Sequence, residues 1–297
     1  MNIANQFKGC IIAGAIGDAM GSGYENVVQN EDHAFYPFGK PEPQEPIWQI
    51  TDDTQLTLAT IESIAELGRA NPDNIANHFL KLYQSKKLSG IGASTLKALR
   101  ELEFGGHWSQ IGRKGEYAAG NGAAMRAAPL AFVDRISNST IRDICYITHQ
   151  NEEAYIGALC VIISIRSALN GQWIGKGNLI DMVLQQIPDT RVKDRLIQIQ
   201  HMENLQEVGH LGNSGYVVDS IPLALAAANK VTELGIENML QQLIDIGGDT
   251  DTNCSIAGQI AGALIGFDQI PTHLVEQLNQ LSESDWIYNT MARFIEK

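Results

Sequence analysis

Small residues recur every fourth position along two apolar segments: Gly9, Ala13, Gly17 and Gly21 near the N-terminus, and Gly258, Gly262 and Gly266 near the C-terminus. A four-residue step keeps such residues on one face of a helix. Each glycine nevertheless costs a helix about 0.8–1.0 kcal/mol relative to alanine. A cost repeated on one face requires a compensating gain, and close approach of two helix backbones supplies it. The pattern predicts two helices that cross near the core and bring together the loops at their ends.

The rest of the chain follows the same period. Apolar residues are helically spaced over Leu56 to Leu67, Ile75 to Tyr83, Tyr155 to Leu169, Val192 to Ile199, Ile221 to Ala228, Met239 to Ile246 and Leu274 to Leu281. Runs of alternating β-branched residues are scarce. Breakers fall between the helical runs, at Pro37 to Pro46, Gly105-Gly106, Gly112 to Gly122, Gly171 to Gly177 and Gly209 to Gly215. The expectation is an all-α protein whose loops carry function. Length alone suggests two domains at roughly 150 residues each. No solenoid period, low-complexity segment or linker marks a boundary, so one compact domain over residues 1–297 is expected.

Thirty-four acidic against 21 basic side chains give a net charge of −13. Such a surface repels phosphate backbones and anionic headgroups, which argues against general nucleic-acid or peripheral-membrane binding. Cys10, Cys145, Cys160 and Cys254 stand singly with no C-x-x-C pair, as expected in a reducing compartment. The longest uncharged apolar stretch, Cys254 to Phe267, is shorter than the roughly 18 residues a membrane span needs. Lys8 precedes an apolar run as in a signal peptide, but Asp18 interrupts it and no A-x-A site follows. A cytoplasmic location is expected.

Two clusters concentrate acids at helix starts: Thr51-Asp52-Asp53-Thr54, and Asp249-Thr250-Asp251-Thr252. Asp52 with Gln55 reads as a capping box, and acids there complement the helix dipole. Taken alone, the first cluster is explained by capping; in the second, capping accounts for one acid but not for another close by that leads into a helix without a polar face, and two such clusters in one chain shift the balance. The alternative is a cation site. Aspartate and threonine oxygens, with no cysteine within either cluster and no histidine nearby, suit Mg²⁺ or Mn²⁺ rather than zinc. Four carboxylates can hold two such ions about 3.5–4 Å apart. The spacing is not that of an EF-hand, whose loop of about 12 residues ends in a bidentate glutamate. Cys254 lies beside these acids, which would raise its thiol pKa and disfavour it as a nucleophile. The glycines of residues 9–21 follow no strand, so a dinucleotide-binding fingerprint is also excluded.

Six segments occur in a recognisable order: Gly9 to Glu25, Thr51 to Thr60, Gly120 to Ala131, Thr148 to Cys160, Ser214 to Leu225 and Gly247 to Gly266. Together they resemble the motif series of the ADP-ribosylglycohydrolase family, which includes the dinitrogenase reductase-activating glycohydrolases. The resemblance implies a single compact, orthogonal, all-α helical domain with a central dinuclear metal cleft. It implies that two Mg²⁺ or Mn²⁺ ions are held by Thr51, Asp52, Asp53, Asp249, Asp251 and Thr252. Glu25 matches the glutamate that reaches toward the scissile bond.

For ADP-ribose, Gly120-Asn121-Gly122 before an expected helix start at Ala123 offers backbone N–H groups to a diphosphate. His149, Ser214, Gly215 and Tyr216 are expected to contact the ligand, with the Tyr216 ring available for stacking. Glu116, just upstream, departs from one branch of the family and is an unwelcoming neighbour for a diphosphate. Arg126 is either a source of positive charge or a structural ion-pair partner. Asp18 is expected to order the metal-site loops.

The reaction expected is metal-assisted hydrolysis of an N- or O-glycosidic bond to ADP-ribose, with Glu25, Asp52 or Asp53 assisting proton transfer around an oxocarbenium-like transition state. The partner is an ADP-ribosylated protein, and ADP-ribose is the product. Arginine linkage is favoured, because bacterial-type family members are associated with it. Serine or other O-linked ADP-ribose is the alternative reaction, and a non-catalytic binder of ADP-ribose or of its modified target is the alternative class.

Overall fold

The breakers divide the chain into short helices. The computed structural model describes residues 2–25, 46–175, 177 and 179–296. Of the breaker stretch 37–46 only Pro46 is described, and His33 also lies outside the described residues. The α-helices are α1 (Ile3–Gly21), α2 (Asp52–Leu67), α3 (Pro72–Gln84), α4 (Ala93–Glu103), α5 (Asn138–Tyr146), α6 (Glu152–Leu169), α7 (Leu179–Leu184) and α8 (Arg191–Ile199). They continue with α9 (Leu205–Leu211), α10 (Val217–Ala228), α11 (Val231–Leu234), α12 (Ile236–Ile246), α13 (Thr250–Ile265), α14 (Thr272–Leu278) and α15 (Ser284–Ile295). Each helical run expected from apolar spacing falls in one of them, although the last stops at Leu278 rather than Leu281. Among the described residues the named strands are two-residue segments, β1 (Arg113–Lys114) and β2 (His149–Gln150), paired in parallel with Arg113 opposite His149.

The two glycine-bearing helices do more than cross. α1 and α13 lie side by side in opposite directions along their whole length. Gly9 faces Gly262 and Gly266, Ala13 faces Gly258, Gly17 faces Cys254, and Gly21 faces Thr250. A Cβ on Gly9, Gly17, Gly258 or Gly262 would overlap a carbonyl oxygen of the opposite helix. Only glycine therefore permits this contact, which recovers in backbone packing what it loses in helix propensity. Both helices are buried nearly throughout, with α6, α10 and α12 packed against α13. The antiparallel arrangement sets the C-terminal end of α1 beside the N-terminal end of α13, where the Thr250 hydroxyl donates to the Gly21 carbonyl at 2.8 Å.

The helix expected to start at Ala123 is absent. Asn121–Ala123 and Ala128–Phe132 are separate 3₁₀ turns. Pro129 lacks an N–H and disfavours an α conformation at Ala128, so the alanine-rich run cannot propagate as an α-helix. No helix among the described residues is long and apolar enough to cross a membrane.

Candidate active site

Threonine precedes the acids in the first cluster, and it takes the capping role that sequence assigns to aspartate. Thr51 is the N-cap of α2, its hydroxyl accepting the Asp53 N–H at 3.4 Å. The Asp52–Gln55 capping box does not form. The Gln55 amide instead donates to Ser89 Oγ at 3.1 Å, and its carbonyl accepts the Ser89 N–H at 3.0 Å, while the Ser89 carbonyl accepts from Asp52 N–H at 2.9 Å. The loop before α4 thus occupies the groups that a capping box would have joined. In the second cluster Asp249 stands at the N-cap of α13 without a side-chain capping bond, and its Oδ2 accepts from Asn121 Nδ2 at 2.6 Å. Capping therefore explains neither pair of acids.

Asp18, in the last turns of α1, is fully buried and holds the first cluster in place. It accepts the N–H and hydroxyl of Thr51 at 2.9 and 2.8 Å, and the N–H and hydroxyl of Thr54 at 3.1 and 2.5 Å. Asp53 Oδ2 accepts from the Thr252 hydroxyl at 3.1 Å, while its Oδ1 is buried with no hydrogen-bond partner. Asp251 Oδ1 accepts the Thr252 N–H at 2.8 Å. One oxygen from each of Asp18, Asp53 and Asp251 lies within 4.8 Å of the others, as does one from each of Glu25, Asp249 and Asp251.

Such convergence of carboxylates in a buried site is unfavourable without a cation. Burial pushes Asp53 well above the usual carboxylate range, with Asp251, Asp18, Asp52 and Asp249 adding to it. Asp52 is likewise held high by burial and then by Asp18. Burial and then the neighbouring Asp249 raise Asp251 to about 9. Asp18 rises only to about 6, because its four hydrogen bonds oppose the effect of burial. The orphaned Asp53 oxygen and the all-oxygen donor set fit a hard divalent cation. Asp52 lines the same cavity but belongs to neither three-acid group, and Thr51 is not among the lining residues, although its hydroxyl lies 3.4 Å from Asp53 Oδ2.

The cavity, of about 530 Å³, is lined by Glu25, Asp52, Asp53, Asp249, Asp251 and Thr252 on one side and by Gly120, Asn121, Gly122, His149, Ser214 and Gly215 on another. Several expected ligand contacts have protein partners. The Asn121 N–H donates to the Gly215 carbonyl at 3.0 Å, so the Gly-Asn-Gly turn does not keep all its N–H groups for an anion. The Ser214 hydroxyl donates to Asp219 Oδ2 at 2.8 Å and accepts the Tyr216 N–H at 3.2 Å, which organises the loop. Tyr216 is not among the lining residues; its backbone bridges Gly120 and its side chain meets Arg191. Glu116 is exposed outside the cavity, with Arg191 Nη2 at 3.9 Å. His149 is buried, and burial together with Arg126 and Arg113 lowers its pKa to about 3, so the ring is neutral at physiological pH. Cys254 is buried and its thiol is pushed well above its ordinary value, which removes it as a nucleophile.

Sequence reasoning missed Tyr24, Ser94, Thr95, Arg113 and Tyr117 on the cavity wall. Two of these carried a signal in the sequence: Tyr24 lies inside the Gly9 to Glu25 segment, and Tyr117 stands three positions before the segment that starts at Gly120.

Comparison with known proteins agrees with this architecture. A family model described as ADP-ribosylglycohydrolase matches residues 1–297. The chain is 26% identical to ADP-ribosylhydrolase ARH3 of Homo sapiens over 349 residues, covering 99% of this chain and 94% of that protein. It is 26% identical over 284 residues to ADP-ribosylarginine hydrolase Tri1 of Pseudomonas putida, covering 91% of this chain and 73% of that protein. A solved structure titled ADP-ribosylglycohydrolase-related protein complex shares the fold, with a TM-score of 0.67 at 24% identity over 99% of this chain and 98% of that one. With its helical fold, its cleft of converging acids and a family match along its whole length, the chain belongs to the ADP-ribosylglycohydrolase family, whose members hydrolyse glycosidic bonds.

Proposed function

We propose that this cleft hydrolyses the bond between the anomeric carbon of the distal ribose of ADP-ribose and a protein side chain, arginine being the favoured attachment, with two Mg²⁺ or Mn²⁺ ions. The observation that carries the reading is the convergence of Asp18, Asp53 and Asp251, and of Glu25, Asp249 and Asp251, in one cavity. Thr51, Asp52, Asp53, Asp249, Asp251 and Thr252 would hold the ions. When bound, divalent ions neutralise these acids and supply Lewis acidity toward ribose hydroxyls and a water.

The chain's own groups then divide the remaining work. Asp18 holds the N-terminal end of α2, and with it Asp52 and Asp53, in a fixed position through its bonds to Thr51 and Thr54. Glu25, the exposed acid of its group, accepts a proton from the attacking water or returns one to the leaving group. The carboxylates around it favour positive charge developing on the sugar ring. Gly120, Asn121, Gly122, Gly215 and His149 provide the wall for the diphosphate and the second ribose, with Ser214 shaping its loop and Tyr216 at its margin.

Two observations favour arginine. The exposed carboxylate of Glu25 on the cavity wall attracts the cationic guanidinium of the target, and one relative carries the name ADP-ribosylarginine hydrolase. The test is release of ADP-ribose from proteins modified separately on arginine and on serine, with Mg²⁺, with Mn²⁺ and with EDTA. Release from the arginine conjugate that stops in EDTA supports the reading. Release from the serine conjugate alone establishes the O-linked reading, and ADP-ribose binding without release in any arm establishes a binding protein.

A further inference from the structure

Arg126 is one of the most deeply buried large side chains in the protein, yet among the described residues it forms no direct ion pair, and Asp52 is the carboxylate whose charge reaches it. Burial lowers its pKa only to about 10, so it remains charged. Its guanidinium lies 5.0 Å over the Phe79 ring and donates to the carbonyls of Gly122 and Ile144 and, at 2.9 Å, to the Thr148 hydroxyl. An ion-pair partner, one of the two roles the sequence allowed, is therefore not what holds it. A buried cation with no carboxylate in direct contact, steadied only at longer range by Asp52, that spends one of its donors on a hydroxyl calls for a reason beyond packing.

The reason lies one bond further on. A guanidinium can only donate, so the Thr148 oxygen must accept from Arg126 and keeps its single proton to give away. Thr148 is fully buried, and among the described residues its hydroxyl has one other neighbour, His149 Nδ1 at 2.7 Å. The hydroxyl proton therefore goes to Nδ1. An imidazole that accepts at Nδ1 and is neutral must carry its proton on Nε2. That edge of the ring lies against the Gly120–Gly122 turn. A Cβ on Gly120 would be 3.1 Å from Nε2, and one on Gly122 would be 2.8 Å from Cε1, which explains both glycines more directly than anion binding does.

We infer that Arg126, acting through Thr148, is a positioning residue that locks His149 in the Nε2–H tautomer and so presents a fixed, uncharged N–H donor to an oxygen of the ligand in the cavity. This rests on the proposed ADP-ribose site only for the identity of that oxygen. A fixed donor favours a phosphate or hydroxyl oxygen and disfavours any ligand group that needs an acceptor at the same place. The alternative tautomer, with Nδ1 protonated, would leave the Thr148 proton without an acceptor in a dry environment.

Long-range ¹H–¹⁵N correlation spectra of histidine-labelled protein report the tautomer directly, and His149→Gln assigns the resonance. Wild-type protein should show a protonated Nε2 and a bare Nδ1 for His149. Thr148→Val, nearly isosteric, should release the lock and give a mixed or reversed pattern, with ADP-ribose binding weakened about three- to tenfold, as expected for one lost hydrogen bond. Thr148→Ser should restore both. Arg126→Lys keeps the charge without the planar fork and should disturb the tautomer as Thr148→Val does. A protonated Nδ1 in the wild type, or a Thr148→Val protein that folds and retains the wild-type pattern, would overturn the inference. If ADP-ribose does not bind the wild type, the proposed function fails, while the spectra still decide the role of Arg126.

Discussion

The carboxylate of Asp18 accepts both the backbone N–H and the hydroxyl of Thr51, at 2.9 and 2.8 Å, although 33 positions separate the two residues in the chain. Its second pair of bonds, to Thr54, leaves the carboxylate fully engaged. An amide in its place offers one acceptor oxygen. Asp18→Asn is expected to fold but to lower cation affinity or activity by about 10–100-fold, the usual effect of disturbing groups that orient metal ligands. Isothermal titration with Mg²⁺ or Mn²⁺ checks this; unchanged affinity would remove Asp18 from the positioning role.

Glu25 tests the chemistry separately from the site's shape. Glu25→Gln should reduce turnover by roughly 10²–10⁴-fold while ADP-ribose affinity changes little, because proton transfer is lost and the cavity is kept. Single-turnover release alongside equilibrium binding distinguishes the two effects.

Without cations the acid cluster should destabilise the protein in a pH-dependent way. Asp251 rises to about 9 in the folded protein, above its ordinary value, and Asp52 and Asp53 also lie high. The folded state then binds more protons than the unfolded chain, so stability falls as pH rises from the ordinary carboxylate range toward about 9. In EDTA, Tm should decline across this interval. Saturating Mg²⁺ or Mn²⁺ should reverse the decline, and Asp251→Asn should flatten it. A Tm in EDTA that rises over the same pH range would contradict the cluster's electrostatics.

The glycine seam between α1 and α13 leaves no room for a methyl group. Gly17→Ala, opposite the Cys254 carbonyl, should destabilise by about 1–3 kcal/mol or more. Urea unfolding measures this. Because the same seam aligns Asp18 with Asp251, activity should fall further than the loss of folded protein explains.

Gln55 clamps the loop of residues 88–92 onto α2 through two bonds with Ser89. Gln55→Ala should cost about 1–3 kcal/mol and raise KM more than it lowers kcat, since Gly90 and Gly92 line the cavity and neither takes part in proton transfer. A kcat loss with KM unchanged would show that the loop serves the chemistry instead.

The sequence by itself determined the helical architecture and the pairing of α1 with α13. A four-residue glycine step is a local, periodic signal, and only one kind of contact compensates it. It also picked out Asp52, Asp53, Asp249 and Asp251, since two pairs of acids at two helix starts exceed what capping can use. Helices such as α4 and α15 were not among the expected runs, although Ile287, Met291 and Phe294 of α15 recur at helical spacing and pack on the core. Tertiary structure alone decided who meets whom. It set Thr51 rather than Asp52 as the cap and gave Gln55 to Ser89. It held Tyr216 out of the cavity wall and ran a chain of donors from Arg126 through Thr148 to His149. Each of these depends on which of several chemically adequate partners packing brings within hydrogen-bond reach. That choice is made by distant segments of the chain, about which local spacing carries no information.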